Sequence, residues 1–200
     1  MVLCAHMFTG ITQSVGRVSI TAEKNRCKTV RIVTPRGWKL ALGQSVLVDG
    51  ICSTVERRGA GYFEVAYMPE TLSKTTAPSF ERGSRLNLER SLKLSDFVDG
   101  HLVAGHVDIA ARIVAVKAAG DSKMITIELP KELKAYVSAG GSVAINGVSL
   151  TVARKEGRTA TVALVPFTLM HTNLGGLKKG DKVNVEVDLL MRALVSAARK

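Results

Sequence analysis

Two short segments of the chain carry side chains that could act as nucleophiles, and the segments resemble each other. Residues 43–55 have the sequence GQSVLVDGICSTV, and residues 140–152 have GGSVAINGVSLTV, with six of the thirteen positions identical. At matched places stand Cys52, a thiol, and Ser149, a hydroxyl, which are both nucleophile types. Alternate residues of a strand share a face, so each would point the same way as the threonine two positions later. On spacing alone, a small buried residue after a tight turn is the better explanation of both.

A second group of polar side chains lies in the segment GHLVAGHVD, residues 100–108. Here His101 and His106 are followed by Asp108, a set that could bind a metal ion. No H-E-x-x-H pattern and no Cys/His cluster supports such a site, so we predict no metal. A histidine acting in proton transfer or hydrogen bonding is the alternative. Gly105 beside His106 would let a ligand approach the backbone closely.

Two further patterns could contribute to a site. The sequences MPETL at residues 68–72 and VPFTL at residues 165–169 place a threonine beyond a proline at a predicted strand end. Each is either a simple turn or a rim that binds a planar heterocycle through backbone amides. Asp188 follows the last predicted strand, where an aspartate is most often a helix N-cap. A triad of Ser149, His106 and Asp188 can be written, but no nucleophile elbow is present, so hydrolase chemistry is weakly supported.

Short strands must position these side chains. Val, Ile, Thr and Tyr dominate the candidate strands, and Asp49-Gly50 and Asn146-Gly147 are typical of tight hairpin turns at matched places. Five or six antiparallel strands per half predict a closed barrel or a sandwich. The predicted strands are residues 15–20, 28–34, 45–48, 62–68 and 85–89 in the first half, and 112–116, 124–129, 142–145, 159–165 and 182–187 in the second.

The matched segments lie 97 residues apart, and a repeat of that length is a whole domain rather than a solenoid unit. We therefore expect two copies of one small domain, with the boundary near residues 93–104. Helices are predicted at residues 130–136, which start on a proline, and from about Leu189 to Arg199. In the second helix, Leu190, Leu194 and Ala197 form an apolar stripe. This stripe either covers its own barrel or docks with a partner chain.

The composition limits the classes of function. The net charge of +11 invites a nucleic-acid interpretation, but Lys and Arg are spread along the chain and aromatic residues are scarce. We interpret the basicity as a solvated surface and expect no nucleic-acid partner. No stretch of 18 apolar residues exists and no signal peptide is visible, so we expect no membrane span. Cys4, Cys27 and Cys52 form no C-x-x-C pair, which indicates reduced thiols and a cytoplasmic setting.

Several motifs together resemble one family, the riboflavin synthase α chain, from Met7 to the end. They are MFTGI at residues 7–11, VDGICSTV, MPETL, LNLERSLKLSDFVDGHLVAGHVD, INGVSLTV and HTNLGGLKKGDKVNVEVD. The resemblance implies two tandem six-stranded Greek-key β-barrels and a C-terminal α-helix, and thus an all-β fold. It implies the bounds 7–100 and 101–188 for the two lumazine-binding barrels, and 189–200 for an oligomerisation helix.

The resemblance also implies an activity and partners. Two molecules of 6,7-dimethyl-8-ribityllumazine would exchange a four-carbon unit, giving riboflavin and 5-amino-6-(D-ribitylamino)uracil, a transferase reaction without cofactor or metal. The chain would form a homotrimer in which the N-terminal barrel of one subunit faces the C-terminal barrel of its neighbour. Holding two ligands together makes their reaction effectively intramolecular. An association with lumazine synthase is a further partner that the resemblance allows.

Motif matching assigns the site residues that the resemblance implies. His106 and Thr151 are candidates for handling the methyl proton, Ser149 and Asp188 for a polar pair, and Cys52 for the matching group at the other ring. Phe8 would pack over the reacting pair. The first site would consist of Gly10, Ile11, Thr12, Cys52, Ser53, Thr54, Ala66, Tyr67, Met68, Pro69, Glu70 and Thr71. The second would consist of Gly105, His106, Val107, Ser149, Leu150, Thr151, Ala163, Leu164, Val165, Pro166, Phe167 and Thr168, with Gly140 at its edge.

The chain departs from the family pattern at several of these places. Gly140 stands where a lysine is usual, and Phe167 where a glutamate or histidine is usual. Six residues also precede Met7, where the family normally begins. Relatives of the fold that bind lumazine or riboflavin without turnover tend to lose polar groups from one copy. This chain keeps polar groups in both, so an enzyme is favoured over a non-catalytic binder.

Overall fold

The structure, a computed structural model, describes residues 7–198, and most of its regular elements are strands. In β2 (Cys27–Val33), Val30 and Ile32 point into a core while their neighbours face outward, the period-two pattern of a sheet with one buried face. The other strands of the first half are β1 (Ser14–Lys24), β3 (Ser45–Val48), β4 (Ile51–Thr54), β5 (Arg57–Gly59), β6 (Tyr62–Tyr67) and β7 (Arg85–Arg90). The second half has β8 (Ile109–Ala119), β9 (Ser122–Glu128), β10 (Ser142–Ile145), β11 (Val148–Glu156), β12 (Thr159–Leu164) and β13 (Lys182–Val187).

Short helices follow the strands at matched places. The α-helices are α1 (Pro69–Lys74), α2 (Pro166–His171) and α3 (Leu189–Ala198), and 3-10 helices span Ala77–Ser79, Lys131–Tyr136 and Asn173–Gly176. Helices α1 and α2 both begin on a proline, whose fixed φ suits a first turn and whose missing N–H is not needed there. Neither helix is predicted from the sequence, where the prolines suggest only turns or rims. The helix predicted at residues 130–136 is a 3-10 helix. Arg199, the predicted end of the last helix, lies outside the described residues.

The all-β prediction is confirmed, and the two halves close differently. In the second half six strands form a closed barrel in the order β10-β11-β12-β9-β8-β13. In the first half seven strands form one sheet in the order β4-β3-β7-β1-β2-β6-β5. The end strands β4 and β5 are consecutive in the chain, and β4 also contacts β6, so this sheet curves round on itself as a half-barrel. We call the two units the first barrel and the second barrel.

One strand accounts for the difference between the two barrels. In the second barrel β11 is continuous and pairs with β10 and β12, with a shift in register between Val152 and Arg154. In the first barrel its counterpart is split into β4 and β5 at Val55 and Glu56. The backbone N–H groups of these two residues donate to the carbonyls of Gln44 and Glu64, both at 2.9 Å. The split therefore leaves the backbone paired.

Tight turns connect the hairpins as the sequence predicts. Asp49 and Asn146 have φ values of 47° and 46°, in the left-handed region that Asp and Asn tolerate, and a glycine follows each. The strands β4 and β11 that these turns initiate are absent from the predicted set. They begin on the buried apolar residues Ile51 and Val148, but small polar residues interrupt the apolar pattern at once, and pairing with β3 and β10 makes them strands.

Each barrel has its own apolar core, and a smaller cluster lies between the barrels. The small cluster contains Phe8, Leu47, Val103 and Ala144, with Cys52 packed against it. Phe8 and Val103 form an antiparallel bridge, in which each backbone N–H donates to the other residue's carbonyl at 2.8 and 3.0 Å. The segments that precede β1 and β8 therefore meet between the barrels.

Helix α3 lies at the end of the second barrel, and its apolar side chains are exposed to solvent. Leu190 and Leu194 are 59% and 64% exposed. Arg192 forms an ion pair with Asp108 and places its guanidinium 5.6 Å from the Tyr136 ring, which fixes the helix by one face. Among residues 7–198, no helix is long and apolar enough to span a membrane.

Candidate functional site

The polar side chains singled out in the sequence gather in two clefts, and both barrels contribute to each. The backbone N–H of Cys52 on β4 donates to the carbonyl of Gly105 at 2.9 Å. The backbone N–H of Ser149 on β11 donates to the carbonyl of Gly10 at 2.8 Å. We call the place around Cys52 and Gly105 the first cleft, and the place around Ser149 and Gly10 the second cleft.

Both contacts require glycine. A Cβ atom on Gly105 would lie 2.7 Å from the Cβ of Cys52, and one on Gly10 would lie 2.7 Å from the Cβ of Ser149. Both glycines also have positive φ values, 77° and 75°, which other residues adopt only at a cost. The glycines of MFTGI and LVAGH thus allow each segment to lie flat against a strand of the opposite barrel.

Each glycine segment thus packs on the opposite barrel, and this corrects the predicted grouping of the site residues. Motif matching places Gly10 with Cys52 and Gly105 with Ser149, and the structure pairs them the other way. The reason is the bridge between Phe8 and Val103, which carries each segment across to the other barrel. A repeat in the sequence shows which residues are equivalent, but it does not show on which barrel a flanking segment packs.

The first cleft contains a cavity of about 230 Å³. Cys52 is half-buried in it, and burial raises the pKa of its thiol, while a hydrogen bond with Ser45 lowers it and the charge of Glu186 raises it further. His106, the residue after Gly105, is exposed at the same cavity. The lining residues are Ile51, Cys52, Glu70, Thr71, Lys74, Thr75, Gly105, His106 and Val107.

The second cleft holds a hydrogen-bonded pair of catalytic type. The Oγ atom of Ser149 lies 2.7 Å from Nδ1 of His101. Burial lowers the pKa of His101, and the nearby charge of Asp188 partly offsets that shift, so the neutral imidazole is favoured. A neutral imidazole with its proton on Nε2 can accept the hydroxyl proton at Nδ1. Nε2 of His101 is buried and has no hydrogen-bond partner among the described residues.

The roles predicted for two histidines and an aspartate change accordingly. His106 lies at the first cleft, so one chain does not assemble the weakly supported triad of Ser149, His106 and Asp188, and His101 is the hydrogen-bond partner of the serine. His101 is absent from the predicted catalytic set, although the segment GHLVAGH contains both histidines. Asp188 Oδ1 accepts from the backbone N–H of Leu190 at 2.8 Å, which agrees with the N-cap interpretation. Its predicted direct pairing with Ser149 is replaced by a charge effect on His101.

The rims of the two clefts differ in chemistry at matched positions. On α1, Glu70 and Lys74 form an ion pair at 2.8 Å, and this pairing lowers the pKa of Glu70. On α2, Phe167 and His171 occupy the equivalent places, and their rings stack with centroids 4.0 Å apart and planes at 21°. The first rim is therefore charged, and the second is aromatic.

Several predicted site residues have side chains that point away from the clefts. Phe8 is fully buried in the cluster between the barrels, whereas the prediction places it over the reacting pair. Ser53 lies inside the first barrel, where its hydroxyl donates to the carbonyl of Ile51 and lies 3.1 Å from the Tyr67 hydroxyl. Tyr67, Leu150 and Leu164 are core residues. Their positions leave only the backbone available to a ligand.

The remaining predicted residues lie on or beside the cleft strands. Thr54 and Thr151 are exposed, and they follow Cys52 and Ser149 by two positions on β4 and β11. Gly140 is exposed in a turn, where its N–H donates to Val152 at 2.8 Å. Exposed or half-buried residues at the two strand ends and rims are Ala66, Met68, Pro69, Thr71, Ala163, Val165, Pro166 and Thr168. Ile11, Thr12 and Val107 follow the two cleft glycines. Within residues 7–198, no group of three His, Cys, Asp or Glu could hold a metal ion.

Comparison with known proteins gives consistent matches. A model of the lumazine binding domain matches residues 9–91 and again residues 104–188. A riboflavin synthase of Brucella abortus (strain 2308) is 41% identical over 192 residues, covering 93% of this chain and 95% of that protein. Riboflavin synthases of Photobacterium phosphoreum and Chlamydia muridarum are each 34% identical, covering 93% and 97% of this chain and 86% and 96% of those proteins.

Solved structures agree on the fold. The protein LumP complexed with riboflavin superposes with a TM-score of 0.84 at 24% identity, and LumP complexed with 6,7-dimethyl-8-(1'-D-ribityl) lumazine with a TM-score of 0.82 at 24% identity. Both alignments cover 90% of this chain and 98% of the LumP chain. At this level of identity the likeness concerns the fold alone.

Proposed function

Since the chain belongs to the riboflavin synthase family, with two lumazine binding domains in tandem, we propose that it catalyses that family's transferase reaction. Two molecules of 6,7-dimethyl-8-ribityllumazine exchange a four-carbon unit, and the products are riboflavin and 5-amino-6-(D-ribitylamino)uracil. One observation carries the proposal. The chain holds two equivalent clefts, and each keeps a polar group of nucleophile type, Cys52 in the first and Ser149 with His101 in the second.

Two clefts suit a reaction between two copies of one ligand. A bimolecular encounter becomes effectively intramolecular when both reactants are held in place, which can contribute about 7–11 kcal/mol at best. The clefts share their backbone architecture, so both can bind the same ligand. They differ in side chains, thiol against hydroxyl and ion pair against aromatic stack, so the two bound copies meet different chemistry. This difference supports distinct donor and acceptor roles.

Ser149 and His101 provide general-base chemistry in the proposed reaction. The neutral imidazole of His101 takes the Ser149 proton, and the charge of Asp188 stabilises the imidazolium that forms. His106 and Thr151 assist removal of the proton from the methyl group of the ligand. His106 belongs to the first cleft and Thr151 to the strand of the second, so they can serve one reaction only where the two clefts meet.

That requirement supports an active site between subunits. The residues that line the cavity of the first cleft include no residue of α2 and none of β11. The second cleft that faces a given first cleft would therefore belong to another copy of the chain. The exposed leucines of α3 offer an apolar contact for such a copy. Contact between different surfaces of successive subunits closes into a ring when the rotation between subunits adds up to a full turn. We propose a homotrimer.

The domain bounds 7–100 and 101–188 accompany this proposal, and they enclose the two matched ranges. The proposed oligomerisation segment, residues 189–200, contains α3 and ends in two residues outside the described part of the chain.

A non-catalytic binder of lumazine or flavin is the second candidate, and the shared fold with LumP is compatible with it. The retained polar groups of both clefts argue for the enzyme. The pure protein should be incubated with 6,7-dimethyl-8-ribityllumazine while flavin absorbance is followed. We expect flavin to form at the expense of the lumazine in a ratio of one to two. Tight binding of the lumazine with no flavin formed would instead establish the binder.

A further inference from the structure

Two buried glutamates occupy equivalent places near the ends of the strands that close each domain. On β13, Glu186 accepts from the backbone N–H of Ala104 at 2.7 Å through one oxygen, and from that of Gly105 at 2.9 Å through the other. On β7, Glu89 accepts from the N–H and the hydroxyl of Thr9 at 2.7 and 2.9 Å, and from the N–H of Gly10 at 3.0 Å. The two glutamates are 5% and 3% exposed.

Each glutamate is connected through one glycine to the opposite barrel. Gly105 donates its N–H to Glu186 of the second barrel and accepts from the N–H of Cys52 of the first. Gly10 donates its N–H to Glu89 of the first barrel, while its carbonyl accepts from the N–H of Ser149 of the second. The segments that contain Gly105 and Gly10 are thus each held between a glutamate of one barrel and a strand of the opposite barrel.

We propose that Glu186 and Glu89 are positioning residues that act across the barrel boundary, so that Glu186 of the second barrel sets the first cleft and Glu89 of the first barrel sets the second. The importance of this arrangement for turnover rests on the proposed function. Its effect on the shape of the clefts does not.

The carboxylate is the group that this position needs. Two oxygens accept from successive backbone N–H groups, and bonds to a charged acceptor are stronger than those to a neutral one. A glutamine of the same size keeps one acceptor but turns an NH₂ group toward the second N–H, so one bond is replaced by repulsion. Burial raises the pKa of both glutamates to about 7, and the backbone hydrogen bonds oppose that shift, so both are carboxylates above that pH.

The residues that follow the two glycines show what is positioned. His106 comes directly after Gly105, so the bonds of Glu186 fix the backbone from which His106 faces the cavity of the first cleft. Ile11 comes directly after Gly10 and is 43% exposed beside the second cleft. Loosening either segment would also free the strand N–H of Cys52 or Ser149, the residue that carries the nucleophile.

Hydrogen–deuterium exchange tests the proposal without any ligand. Glu186→Gln should speed exchange in peptides covering residues 102–107 and 50–55 by about tenfold, and leave residues 147–152 unchanged. Glu89→Gln should speed exchange at residues 8–12 and 147–152 by a similar factor, and leave residues 50–55 unchanged. The two variants are each other's matched control. Faster exchange confined to the strands next to the mutated residue, or equal in both barrels, would overturn the proposal.

Two additions keep the test sharp. Thr9→Val removes only the hydroxyl bond to Glu89, so it should give a smaller increase at residues 147–152 even if the glutamine variant folds poorly. Turnover of the dimethylribityllumazine should fall in both glutamine variants, with Glu→Asp restoring part of it because the carboxylate is kept. A wild-type protein that shows no turnover would refute the proposed function while the exchange pattern still decides the inference.

Discussion

Nδ1 of His101 lies 2.7 Å from Oγ of Ser149, although the two residues are 48 positions apart in the sequence. His101 belongs to the segment between the barrels, whereas Ser149 is on β11. Gly100 passes close to the serine as well, since a Cβ atom there would lie 2.9 Å from the Ser149 Cβ. The connection between the barrels therefore shapes the second cleft directly.

Ser149 and His101 should act as one unit in turnover. Replacing Ser149 with Ala should leave ligand binding largely intact and slow turnover by about 10²–10⁴-fold, because the group that is activated is lost. His101→Ala should have an effect of similar size. The double variant should be no slower than the slower single variant, since groups that work together are not additive. Steady-state kinetics with a separate lumazine-binding titration would measure this. Unchanged turnover in Ser149→Ala would remove the serine from the mechanism.

An active site between subunits predicts rescue when two inactive chains are mixed. His106→Ala damages the first cleft and Ser149→Ala damages the second. In trimers formed by co-expression, about a quarter of the sites would join an intact first cleft to an intact second cleft. Activity should return to about that fraction of the wild-type value. Co-expressing either variant with a tagged copy of itself is the control. Mixed trimers as inactive as their parents would argue for sites within one chain.

Close packing at the clefts predicts different costs for substitutions of glycine. Gly105→Ala should destabilise the fold by about 1–3 kcal/mol, because it combines positive φ with a Cβ 2.7 Å from Cys52. Gly43→Ala is the matched control, since Gly43 has a φ of 78° but no atom within 4 Å of a new Cβ. It should cost clearly less. Urea unfolding measures both free energies, and equal losses would show that backbone strain, rather than contact with Cys52, sets the cost.

Asp49 should make stability depend on pH. Burial raises its pKa from an ordinary 3.8 to about 7, against hydrogen bonds from the Asn87 N–H and the Asn173 side chain. Between those two values the folded chain binds a proton that the unfolded chain has lost, so this group's contribution to stability falls as pH rises from about 4 to about 7. The neighbouring titratable group is Tyr67, whose raised pKa keeps it neutral in this range.

The matched variant for that effect is Asp49→Asn, because the second copy has Asn146 at the same place. Asparagine would present a donor to the Asn173 amide, so an absolute loss of stability is expected at all pH values. The informative quantity is the change with pH in the difference between the two unfolding free energies. Wild-type unfolding free energy minus that of the variant should decrease between pH 4 and pH 7, on the order of 3 kcal/mol at most. A difference that stays constant with pH would show that Asp49 does not titrate in this range.

Much of the fold follows from local patterns. Alternating apolar residues give most strands, and Asp49-Gly50 and Asn146-Gly147 give the hairpin turns. The strands β4 and β11 are missed because each directly follows a tight turn and carries small polar residues, Cys52, Ser53 and Ser149, that interrupt its apolar pattern, so pairing in the barrel decides their state. Helices α1 and α2 are missed because six residues are too few for a helical period to show.

The candidate site could be predicted from the sequence only in part. The residue types at the clefts are evident from the repeat, but their assembly depends on contacts between parts of the chain far apart in sequence. His101 and His106 have similar neighbours in the sequence, and only the path of the segment between the barrels sends one to Ser149 and the other to the first cleft. Glu89 and Glu186 resemble ordinary strand-end charges until their backbone partners are known.

The packing of the Gly10 and Gly105 segments on opposite barrels suits an origin of the chain by fusion of two single barrels. In a dimer of single barrels related by a two-fold axis, the same segment of each barrel would cover the cleft of the other. Fusion of two such genes would turn the contact between two molecules into a contact within one. From then on the two clefts no longer had to carry the same residue, and a cysteine in one could stand opposite a serine in the other.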